Sequence, residues 1–151
     1  MNASTLWWDD GALAAVEAGE RTHVFAAGAD AVKAVRLAIR CPDVVLSLVL
    51  ADPVTPEEDS SSLLPRVSVP TLVVASAPRP DTDLTAAQLF AGDIDNAVFV
   101  VVDGSARPVH TASRSSFTEW SSSFVAIAEG LAAREGRLPI PPTPLVEGVL
   151  R

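Results

Sequence analysis

Thr22-His23-Val24-Phe25-Ala26-Ala27-Gly28-Ala29-Asp30 decides the fold. An apolar run, interrupted only by His23, passes through a turn of small residues into a helical pattern from Val32 to Arg40. Continuous apolar runs of this length suit strands buried on both faces of a parallel sheet. In the helix, Val32, Val35, Ala38 and Ile39 share one face, Lys33, Arg36 and Arg40 the other, and Pro42 ends it.

The same alternation continues outward. Val44 to Ala51, Thr71 to Ala75 and Ala97 to Val102 read as further strands. Helices are expected from Ala12 to Glu17 after an Asp9 or Asp10 cap, from Asp81 or Thr82 through Phe90, and from Ser115 to Arg134. The last aligns Phe117, Trp120, Phe124 and Ile127 at helical spacing. Asp52 to Ser62 and Asp103 to Val109 read as loops, and Leu63, Leu64 and Val67 as anchors of a short turn. Strands alternating with helices give a three-layer α/β domain, with a short, mostly parallel sheet of about four strands flanked by helices. That domain spans residues 1–135. The segment 136–151 carries four prolines and reads as a tail or arm.

Composition narrows the partners. A net charge of −8 in 151 residues excludes a phosphate-binding surface built from clustered Lys and Arg, so neither nucleic acid nor an anionic membrane is expected. Cys41 is the only cysteine, which rules out an internal disulfide. Met1 to Asp10 lacks the basic and apolar segments of a secretory leader, and a cytoplasmic protein is expected. Two separated histidines and one cysteine offer no metal-ligand spacing, and no cofactor is expected.

Three segments carry a resemblance. Arg36-Leu37-Ala38-Ile39-Arg40-Cys41-Pro42-Asp43 with Ser47-Leu48-Val49-Leu50-Ala51-Asp52-Pro53 is the first. Leu64-Pro65-Arg66-Val67-Ser68-Val69-Pro70-Thr71-Leu72-Val73-Val74-Ala75 is the second, and Val98 to Gly104 with Pro108, His110 and Phe117 the third. In this order they resemble the C-terminal half of α/β-hydrolase-fold proteins, over roughly residues 10 to 130. The resemblance implies a nucleophile elbow, G-x-S-x-G, at Ala26 to Asp30, where the serine must sit on a sharp turn between small residues. Gly28 stands in the serine's place and Asp30 in that of the last glycine. The acid would fall at Pro78 or Arg79 and the histidine at Arg107, none of which fits its role. The family's first strands would precede residue 10, and its lid is reduced to the polar loop after Pro53. The resemblance therefore implies a truncated, lid-less domain without the usual Ser-His-Asp triad.

Several residues remain as candidates. Asp30, Arg107 and His110 are the acid–base candidates; His110 matches a second histidine that often follows the catalytic one in the family. Ala27, Gly28, Ala29, Ser76 and Asp103 lie at strand ends, where open α/β sheets bind ligands. Blander readings stand beside these: Asp30 as a first-turn acid, His110 as a hydrogen-bonded loop histidine, Ser76 and Asp103 as turn residues. His23 reads as a satisfied interior histidine, and Cys41, at a helix C-terminus, as inert. Trp7-Trp8 either caps the domain's own core or anchors a partner. With its flanking strands missing, Thr22–Ala27 would be an apolar edge needing a cover: Met1–Trp8, Val146–Arg151 or a second subunit, which motivates a homodimer or protein partner. The functional expectation is a catalytically degenerate protein that binds a small apolar ligand or a protein. The alternative is a non-serine enzyme, a lyase, isomerase, cyclase or general-base hydrolase.

Overall fold

Every apolar run read from the sequence is a strand, and one more precedes them. The computed structural model describes residues 3–55 and 62–136. The segment 137–151, with the proposed Val146–Arg151 cover, lies outside the described residues. Five strands, β1 (Ser4–Trp7), β2 (Thr22–Ala27), β3 (Val45–Ala51), β4 (Thr71–Ala77) and β5 (Ala97–Asp103), form one sheet in chain order. All four pairings are parallel. The helices are α1 (Ala12–Glu17), α2 (Asp30–Arg40), α3 (Thr85–Asp93), α4 (Val109–Ala112) and α5 (Arg114–Arg134). Parallel neighbours need crossovers: α1, α2 and α3 lie between β1 and β2, β2 and β3, and β4 and β5, whereas between β3 and β4 the described residues form only a short 3-10 turn, Leu64–Arg66.

Side-chain alternation along the strands sorts the core into two layers. Val24, Ala26, Leu48, Leu50, Val73 and Ala75 face α2 and α3, where Leu37 and Phe90 are fully buried. Phe25, Val49, Ala51, Leu72 and Val74 face the other way, onto Phe117 and Phe124 of α5. Each fully buried Leu or Phe contributes about 1.5–3 kcal/mol relative to exposure. The central strands β3 and β4 are buried at every position.

Three expectations are corrected. The sheet has five strands rather than four, because Ser4–Trp7 pairs in register with Thr22–Phe25. Ser4 N–H donates to the Arg21 carbonyl at 3.1 Å, and the Ser4 hydroxyl donates to Glu20. Thr22–Ala27 is therefore an interior strand, and among the described residues the edge strands are β1 and β5. Secondly, α1 begins after Gly11, at φ 89°, with no side-chain cap. Thirdly, the expected loop Asp103–Val109 ends at the short α4, which takes in Val109, and α3 starts at Thr85 rather than at Asp81 or Thr82.

Candidate functional site

The carboxyl ends of β2, β3 and β4 converge on the turn at Gly28. Gly28 adopts φ 58°, the left-handed region that L-residues enter at a cost. Its N–H donates to the Ala51 carbonyl at 3.1 Å, and its carbonyl accepts from Ala31 at 3.2 Å and Val54 at 3.1 Å. The turn is thus tied to both its own helix and the end of β3. A Cβ built on Gly28 would meet nothing within 4 Å. The backbone has the sharp strand-to-helix geometry of an elbow, and the place a nucleophile would occupy is open space.

Beside the turn lies a cleft of about 270 Å3, lined by Trp7, Trp8, Ala26, Ala27, Asp30 and His110 among others. Asp30 opens α2 as a half-buried first-turn acid, with the Lys33 ammonium 3.5 Å from its carboxylate. Ala29 precedes it as the helix cap, without a side-chain hydrogen bond, so the first N–H groups of α2 remain uncapped by side chains. His110 approaches from α4, its ring 4.8 Å from that of Trp7. Its Nδ1 is buried and has no hydrogen-bond partner among the described residues. Burial lowers the His110 pKa from its ordinary value, and the negative charge of Asp52 opposes part of that shift.

Asp52 is the residue that sequence reasoning missed. It follows β3 at φ 45°, the one described non-glycine residue with positive φ. Its carboxylate accepts from the Ser76 N–H at 2.8 Å, the Ser76 hydroxyl at 3.0 Å and the Val109 N–H at 2.8 Å. One side chain thereby joins β3, β4 and α4 and fixes the base of His110. Its position at a strand's carboxyl end, before Pro53, was the available signal.

The other candidates are dispersed. Ser76 is fully buried and its hydroxyl serves Asp52. The guanidinium of Arg107 donates to the Asp83 carbonyl at 3.1 Å and lines a separate depression of about 140 Å3 shared with Asp52 and Asp83. Bonds from Thr85 hold the exposed Asp83 carboxyl below its usual pKa. Asp103 is the exposed last residue of β5. Arg79 pairs with Asp81 at 3.4 Å in solvent. Asp30 and His110 thus meet in one cleft, whereas Arg107, Ser76 and Asp103 do not join them.

Trp7 and Trp8 pack on the domain's own core: Trp7 against Phe25 and Phe117, Trp8 against the layer facing α2. His23 is fully buried between the Ser47 hydroxyl at 2.7 Å and the Glu129 carboxylate at 3.1 Å, a satisfied interior histidine as read. Among the described residues no three His, Cys, Asp or Glu are grouped to hold a metal ion, and no helix is long and apolar enough to cross a membrane.

No family model and no curated protein matches the chain. Solved structures do. A CIB-like hydrolase from Thermoplasma acidophilum superposes with a TM-score of 0.62 at 18% identity, over 70% of this chain and 50% of that one. Proline iminopeptidase from Mycobacterium smegmatis gives 0.68 at 13% identity, over 79% and 70%. A monoacylglycerol lipase from Paleococcus ferrophilus gives 0.52 at 13% identity, over 78% and 70%. The chain spans half the length of the first of these. At such identities the likeness establishes the fold, which is that of the α/β-hydrolases, and leaves the chemistry to the site's own residues.

Proposed function

We propose that this chain is an α/β-hydrolase-fold protein that works by binding a small apolar ligand in the cleft at the elbow, without a serine nucleophile. Gly28 carries the reading: the turn keeps the left-handed backbone that positions a nucleophile, and no side chain stands there. The cleft walls, Trp7, Trp8, Ala26 and Ala27, supply apolar contact, and Asp30 and the uncapped start of α2 supply polarity. A fluorophosphonate probe tests this directly. The protein is expected to stay unlabelled, and labelling at any serine would overturn the argument.

His110 favours a second reading, an enzyme of a non-serine class. Its imidazole lines the same cleft as the Asp30 carboxylate, which sets two acid–base side chains beside a bound molecule. Replacing Asp30 or His110 with alanine separates the two. Ligand binding that survives while a turnover signal disappears supports the enzyme. Under the binding reading no turnover is seen in any form.

The protein-partner expectation transfers from Thr22–Ala27 to β5, an edge strand with no pairing partner on its outer side among the described residues and with Val98 48% exposed. Light scattering showing a monomer at micromolar concentration would remove a homodimer through that edge.

A further inference from the structure

On the α5 side of the sheet, across Trp7 and His110 from the elbow, lies a second depression of about 360 Å3. That is the size of a site for a small organic molecule. Its walls are aromatic. Trp7 stacks on Phe117 with ring centroids 5.9 Å apart and planes at 27°, and Phe25 meets Trp7 edge-on at 5.3 Å. The rim carries Arg114, the first residue of α5. Arg114 is exposed and pairs with no carboxylate among the described residues. What sets Arg114 apart is its place, on the rim of a groove walled by Trp7, Phe25 and Phe117. A guanidinium binds carboxylates in a bidentate fork, and flat aromatic faces hold flat ligands. His110 also lines this groove, with its buried, unpartnered Nδ1.

We infer that this groove binds a planar aromatic carboxylate. The ring lies against the aromatic wall at Trp7, and the carboxylate engages Arg114 on the rim. The site goes beyond the elbow cleft, since it uses neither Asp30 nor Gly28.

The test uses the full chain with 2-naphthoate and its neutral isostere 2-naphthamide, titrated by ligand-observed NMR. Arg114→Gln is expected to weaken 2-naphthoate about tenfold or more and leave 2-naphthamide within about twofold. Thr118→Trp, at an exposed groove position, is expected to abolish both. Equal 2-naphthoate affinity in the parent and Arg114→Gln overturns the inference, as does the absence of binding by either probe at millimolar concentration. Loss of binding on Asp30→Asn with Arg114→Gln unaffected also overturns it, by placing the probe in the elbow cleft, and leaves the proposed function standing.

Discussion

The molecule holds two histidines, and their surroundings are opposite. His23 sits inside the sheet, bonded through both ring nitrogens to Ser47 and Glu129, with His23 and Ser47 sealed from solvent. His110 lines two depressions, and its buried Nδ1 has no hydrogen-bond partner among the described residues. By residue type, Ser47–His23–Glu129 is a serine–histidine–acid set, yet the serine and the histidine are closed to any substrate. At the turn where a reactive serine would belong, there is glycine. Three residue types at bonding distance do not make a site. Access matters as well, and of the two histidines it is His110 that lines open depressions.

The comparison breaks most easily at His23. His23→Ala removes a fully buried ring and strands the Ser47 hydroxyl in the core. The expected loss is about 3 kcal/mol, or roughly 10 °C in Tm. A shift within a degree or two on calorimetry would mean that the buried set carries little stability. Asp52→Ala comes next. It leaves the Val109 and Ser76 N–H groups without their acceptor, and about 2 kcal/mol is expected to be lost in urea denaturation. Asp52→Asn keeps the shape and removes the charge. Because that charge raises the His110 pKa, the variant is expected to titrate His110 at lower pH by NMR.

How much of this was legible follows from the range of each interaction. β2, β3, β4 and β5 were readable because each is a local apolar run, and Gly28 because its small neighbours and the helix after it lie within a few residues. Ser4–Trp7 was legible only as part of Met1–Trp8, one of three covers for the Thr22–Ala27 edge, because four residues are too few to display a period. α4 was hidden for the same reason. Asp52 was missed because its partners are remote: Ser76 is 24 residues away and Val109 is 57. The separation of Arg107 from His110 was equally invisible, since it depends on a backbone carbonyl of Asp83.

Gly28→Ser restores the missing hydroxyl and sharpens the comparison from the other side. The left-handed backbone costs a serine about 1 kcal/mol, while the open space around Cβ adds no clash. The variant is expected to fold, with Tm lowered by about 3 °C, and to remain inert to fluorophosphonate. Arg79 stands in solvent at the acid position and Arg107 is held on Asp83, so neither activates the new serine. Labelling of Gly28→Ser alone would show that His110 can serve as its base.

The smallest expected effect is the pH dependence that His110 contributes. Its pKa in the folded protein is lowered by burial, so the unfolded chain binds the proton more readily. Stability therefore rises with pH where the unfolded histidine titrates. The contribution is fully present above about 6.5, the ordinary histidine value, and is lost as pH falls toward the lower folded value. His110→Ala is expected to flatten the acid side of the stability profile below about pH 6.5. The same substitution at His23 changes the plateau height through lost packing and hydrogen bonds. A His110→Ala profile that parallels the parent across this window would show that burial of the ring does not bias its protonation, and the contrast between the two histidines would then rest on hydrogen bonding alone.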